Sequence, residues 1–106
     1  MEIKRYDKLV RDRIPQIIES SGREAVTETV DRETARNYLA QKLREEAEEY
    51  FQSRDPEELA DVLEVVYALA AETGVSRETL EAIRVRKANE RGAFRERIVL
   101  KEVRTP

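Results

Sequence analysis

The chain has 106 residues, 20 of them basic and 23 acidic, with a net charge of −3, a pI near 5.2, 41% charged residues and 40% apolar ones. A chain this short is expected to be one domain that buries roughly 60–65% of its unfolded surface, so self-association is expected to add burial. It contains no Cys and no His, which excludes disulfides, thiolate nucleophiles, imidazole bases and zinc sites built on nitrogen or sulfur. Chemistry at neutral pH must then rest on carboxylates, Lys, Tyr, Ser or Thr, or on water activated by an oxygen-bound cation such as Mg²⁺. There is no N-terminal apolar leader, and the longest apolar run, Val65 to Ala71, falls far short of the roughly 20 residues that span a bilayer. The expected location is the cytoplasm. The acidic balance argues against a nucleic-acid partner.

In chain order, Pro15 suits the first turn of a short helix through Ser21, and Gly22 suits its exit. Residues 25–30 (A-V-T-E-T-V) alternate and are β-branched, as are 97–103 (R-I-V-L-K-E-V). Together they predict a small two-stranded β element that ties the ends together. Three helices lie between. The first opens at Asp31 as N-cap and runs to about Ser53. The second has Asp55 as N-cap, Pro56 at its first position and an exit at Gly74, and the third runs from after Ser76 to about Arg91, stopped by Gly92.

Apolar spacing assigns the faces. The helix from Asp31 carries Leu39, Ala40, Leu43, Ala47, Tyr50 and Phe51 on one stripe, and Tyr50, Phe51 and Tyr67 are read as core. The helix from Pro56 is apolar over more than half its circumference, through Leu59, Val62, Leu63, Val65, Val66, Leu69 and Ala70. One neighbour can hardly cover that, so the predicted architecture is a mainly all-α helical bundle completed by dimerisation, plus the β element, in one domain over residues 1–106.

Two carboxylate pairs stand at the borders of these stripes: E-E-x-x-E (Glu45, Glu46, Glu49) and E-x-x-D (Glu58, Asp61). Positions i and i+3 share a side of a helix, and a connection as short as Ser53 to Asp55 makes the helices antiparallel neighbours, so the pairs can converge. Four acids at one spot repel unless a cation lies among them, and Mg²⁺ prefers such hard oxygen ligands. Two plainer readings compete. Most Glu runs on helices are solvated faces, and Glu58, three residues past Asp55, is well placed as a capping-box partner. Glu45, Glu48 and Glu64 are expected to point toward solvent, with Glu45 a possible outer or second-metal ligand only.

Charge is distributed unevenly, with nine acids against three bases over residues 41–64 and eight bases against three acids over 84–104. Arg84, Lys87 and Arg91 fall on one helical stripe and are candidates to grip phosphates. Equally, they can serve the helix dipole or salt-bridge an acidic face. Lys8, Arg11 and Arg13 have no role that spacing reveals.

K-L-V-R-D-R-I-P (Lys8 to Pro15), E-E-x-x-E, E-L-A-D (Glu58 to Asp61) and K-A-N-E-R-G-A-F (Lys87 to Phe94) together resemble the MazG-like and phosphoribosyl-ATP pyrophosphohydrolase-like superfamily over nearly the whole chain. The resemblance implies an all-α core, a homodimer or dimer of dimers, and Mg²⁺, or Mn²⁺ in its place, held by Glu46, Glu49, Glu58 and Asp61, with Glu45 matching the first Glu of the motif. It also implies hydrolysis of a nucleoside triphosphate between its α- and β-phosphates, with Lys87 and Arg91 near the late basic positions that face phosphates. The eight residues between the two acidic motifs are fewer than the family often has.

The expected function is thus a Mg²⁺-dependent nucleoside-triphosphate pyrophosphohydrolase that yields NMP and pyrophosphate, of a house-cleaning kind. Glu45, Glu46 and Glu49 are its catalytic candidates, and Glu45, uncommitted to metal, is a candidate general base. The alternatives are a phosphoribosyl-ATP pyrophosphohydrolase of histidine synthesis and a non-catalytic helical dimer whose Glu face is a solvated or docking surface.

Overall fold

The structure is a computed structural model that describes residues 1–106, and it contains four α-helices: α1 (Ile14–Ser20), α2 (Arg32–Ser53), α3 (Pro56–Glu72) and α4 (Arg77–Arg91). Each of the three long helices begins where a short polar side chain takes an orphan backbone N–H. The Asp31 carboxylate accepts from the Thr34 N–H at 2.8 Å, Asp55 from Glu57 at 2.9 Å, and Ser76 Oγ from Thr79 at 3.1 Å. Such a cap stabilises a helix start by about 1 kcal/mol. Pro56 sits in the first turn of α3, where its missing N–H costs nothing. Gly74 and Gly92 follow α3 and α4 with φ of 80° and 86°, a region that side chains with a Cβ rarely adopt.

The chain divides into two compact units, Met1–Val75 and Ser76–Pro106. In the first, α2 and α3 form an antiparallel hairpin through Arg54 and Asp55. Arg54 adopts the left-handed conformation at φ 60°, gives its N–H to Tyr50 O at 2.7 Å, and folds its guanidinium back over Phe51 at 5.0 Å from the ring centre. At the far end, Arg36 Nη1 donates to the Glu72 carbonyl oxygen at 3.1 Å and Arg32 pairs with the Glu72 carboxylate at 3.5 Å. The first turn of α2 thereby supplies donors to the carbonyl end of α3, which has no basic residue of its own in its last turn.

The hairpin buries Leu39 from α2 and Val65 and Ala70 from α3. Around them Leu43, Tyr50, Val62, Val66, Tyr67 and Leu69 are half-buried. The inward stripe of α2 is rotated from the expected one. It runs through Leu39, Lys42, Leu43, Glu46 and Tyr50, whereas Ala40, Ala47 and Phe51, expected in the core, are exposed. On α3, Leu59 and Leu63 keep about half their surface in solvent, at 50% and 48%.

The second unit holds α4, with Leu80 and Ala88 partly buried. The expected β element is absent: residues 25–30 and 97–103 form no strand. Val26, Ile98, Val99, Leu100 and Val103 are all exposed, so the alternation present in both segments finds no ladder partner and no apolar surface to face. A two-stranded ribbon without such a surface is marginal at best. No helix is long and apolar enough to cross a membrane.

Candidate metal centre

The α2–α3 hairpin determines which acids meet. The short connection at Arg54 and Asp55 places the last turns of α2 beside the first turns of α3, and one carboxylate oxygen from each of Glu46, Glu58 and Asp61 lies within 4.8 Å of the others. Glu46 belongs to the inward stripe of α2, and its side chain is 12% exposed. Glu58 and Asp61 are partly buried one helical turn apart on α3. Glu49 is exposed, yet close enough to act on Glu46 by hydrogen bonding and charge and on Glu58 by hydrogen bonding. Of the four carboxylates expected to converge, Glu46, Glu58 and Asp61 come together, and Glu49 lies outside that group of three.

Glu58 is free for this role because of a local bond that spacing does not announce. A capping box would require Glu58 to accept the Asp55 N–H. That N–H instead goes to Ser53 Oγ at 3.1 Å. The expected capping role is thus replaced by a short polar bridge inside the hairpin turn, and the Glu58 carboxylate faces Glu46 and Asp61.

Crowding of like charge shows in the proton affinities. Partial burial pushes the Glu46 carboxyl up from its ordinary value, and the hydrogen bond and charge of Glu49 add to this, while Lys42 pulls the other way. Glu58 is also raised, first by desolvation and then by the negative charges of Asp61 and Glu46. Acids held in this way protonate more readily, or take up a cation.

Two cations belong to the centre, and neither was identified by sequence reasoning. Lys42, one turn before Glu46, reaches its carboxylate at 3.4 Å with a side chain only 17% exposed. Arg11, from the segment before α1, donates through Nη2 to Asp61 Oδ1 at 2.7 Å. The i,i+4 spacing of Lys42 and Glu46 was available as a signal. The pairing of Arg11 and Asp61 spans 50 positions, and nothing local marks it.

The donor set suits a hard divalent ion. Three separate residues offer carboxylate oxygens that all lie within 4.8 Å of one another, the hard donors Mg²⁺ prefers. Three protein ligands leave positions for water and phosphate oxygens.

The remaining candidates fall elsewhere. Glu45, Glu48 and Glu64 are exposed, as expected, and Glu45 lies outside the cluster. Arg84, Lys87 and Arg91 are exposed on α4 in the second unit. Arg84 donates through Nε and Nη2 to the Glu81 carboxylate, which raises its proton affinity further. Comparisons with family models, curated proteins and solved structures returned no match to the chain.

Proposed function

We propose that the chain is a Mg²⁺-dependent pyrophosphohydrolase that converts a nucleoside triphosphate to its monophosphate and pyrophosphate. One observation carries this reading: Glu46, Glu58 and Asp61, from two helices, bring carboxylate oxygens within 4.8 Å of one another, a set of hard oxygen donors of the kind Mg²⁺ takes.

Glu46, Glu58 and Asp61 would hold a Mg²⁺ ion, which would supply charge neutralisation and orientation for a polyphosphate. Glu46, the least exposed of the set, anchors the α2 side of the site, while Glu58 and Asp61 present the α3 side. Glu49, exposed and close enough to act on Glu46 and Glu58, would add a fourth carboxylate to the three that already converge. Glu45, exposed and not part of the cluster, is the candidate general base for the attacking water. Arg84, Lys87 and Arg91 of α4 are the proposed phosphate-binding cations. In-line attack needs no covalent intermediate, which suits a chain without Cys or His. A phosphoribosyl-ATP pyrophosphohydrolase is the same reading with another substrate.

The uncovered Leu59 and Leu63 on α3 support a homodimer or dimer of dimers, with a second copy completing the bundle.

A non-catalytic helical dimer remains the second reading, and one observation favours it: Lys42 and Arg11 already pair with two of the acids. The test is pyrophosphate release from a panel of standard and modified nucleoside triphosphates with and without Mg²⁺, on wild type, Glu49→Ala and Asp61→Ala. Mg²⁺-dependent release, abolished in both variants with helicity retained by circular dichroism, supports the enzyme. Silence across the panel, together with no rise in melting temperature on adding Mg²⁺, establishes the second reading instead.

A further inference from the structure

We propose that the C-terminal segment of one copy, residues 94–103, covers the exposed apolar face of α3 in a second copy, and that two chains exchange these segments reciprocally. The inference rests on the homodimer proposed above and names the surfaces that meet in it.

The second unit lacks a core of its own. It spans Ser76–Pro106, and none of its residues is buried. Units below about 40 residues need a disulfide, a metal or association with another chain. This one has no Cys and no His, and the acids that could hold a metal lie outside it, which leaves association. Its C-terminal part carries the surface for it. Phe94, Ile98, Val99, Leu100 and Val103 are each at least 75% exposed, and so many uncovered large apolar side chains close together mark a docking surface.

Charge and apolar exposure together select the partner surface. Residues 84–104 hold eight bases against three acids, and residues 41–64 hold nine acids against three bases. In the C-terminal segment Arg95, Arg97 and Lys101 form no ion pair, and on α3 Glu57 and Glu64 form none. Leu59 and Leu63 stand half-exposed on that same helix, and Phe51 is exposed at the end of α2. Each surface thus combines unpaired charge with uncovered apolar side chains, and the signs are opposite. A second copy offers both surfaces at once, so the contact is made twice and closes. An anionic lipid surface would attract the same cations, but it takes apolar side chains from one face of a helix, and residues 92–106 are not helical.

The experiment uses the full chain. Sedimentation compares wild type with Ile98→Glu/Leu100→Glu, checked for native helicity by circular dichroism. The absence of Cys also makes engineered sulfurs unambiguous, so Leu63→Cys/Leu100→Cys and Leu59→Cys/Ile98→Cys chains are oxidised and sized under denaturing, non-reducing conditions. The expected results are a wild type at twice 12.4 kDa or more, a loss of that assembly to single chains in the Glu variant, and a covalent dimer from at least one Cys pair. A Glu variant that keeps the wild-type mass, disulfides that close only within one chain, or no disulfide from either pair overturns the inference and leaves the homodimer standing. A wild type that sediments as a single chain removes the homodimer and the inference with it. Wild-type single chains that co-sediment with phosphatidylglycerol vesicles, lost in the Glu variant, would assign the segment to lipid instead.

Discussion

Ser53 Oγ accepts the backbone N–H of Asp55 at 3.1 Å, and this small bond at the hairpin turn decides what Glu58 does three residues later. With the N–H taken, Glu58 has no capping partner to reach for, and its carboxylate is left among Glu46 and Asp61.

Replacing Ser53 with Ala should return the Asp55 N–H to Glu58 and close the ordinary capping box. A cap bond is worth about 1 kcal/mol, so Mg²⁺ affinity measured by calorimetry is expected to fall roughly 5-fold with helicity unchanged. Unaltered affinity in Ser53→Ala would show that the bridge does not control Glu58.

The metal-free protein should carry a pH signature of its crowded acids. Glu46 and Glu58 have folded-state pKa values raised above their ordinary ones. The stability each contributes is therefore fully present below the ordinary glutamate value of about 4.3 and is lost as pH rises through the raised value. Asp31, lowered by the Thr34 N–H, acts in the opposite sense, with stability present above its unfolded value and lost as pH falls. Glu46→Gln removes one of the crowded charges. Without Mg²⁺, its stability relative to wild type is expected to increase between about pH 4 and pH 7 in urea unfolding, and with Mg²⁺ the order at pH 7 should invert. A constant difference across that range would contradict the assigned crowding.

Phe51 and Leu39 test the rotated stripe of α2. Leu39 is buried and Phe51 is 63% exposed, so Leu39→Ala is expected to cost about 2–4 kcal/mol in urea unfolding, and Phe51→Ala less than about 1 kcal/mol in the same assay. The reverse order would mean that Phe51 is covered in the folded assembly.

Leu59 and Leu63, four positions apart on α3 and half-exposed, should mark the surface between copies. Leu63→Glu is expected to convert the oligomer to a species near 12.4 kDa in sedimentation, whereas wild type should sediment at twice that mass or more. Equal masses would move the interface off α3.

What could be foreseen from sequence was what is local. Asp31, Asp55 and Ser76 each cap a helix through an N–H two or three residues away, and the approach of Glu46 to Glu58 and Asp61 follows from helical spacing plus one short turn. The errors came where a distant partner had to be supplied. Residues 25–30 and 97–103 have strand-like alternation, yet a strand exists only with a neighbour, and the exposure of Val26 and Ile98 shows that neither segment has one. Arg11 eluded the reading for the same reason, since its role is fixed by Asp61, 50 residues on. The rotation of α2 was missed because Lys42 and Glu46 occupy inward positions as a mutually neutralising pair, which an apolar pattern does not count.

The left-handed turn at Arg54 also bears on how the centre forms in time. Every acid of the cluster lies between positions 46 and 61, so closing it requires only that two helices fold about one turn, a contact of low sequence separation that small helical proteins make within microseconds to milliseconds. The carboxylates can thus assemble before the N-terminal segment finds Asp61, and a metal ion present during folding would meet them first.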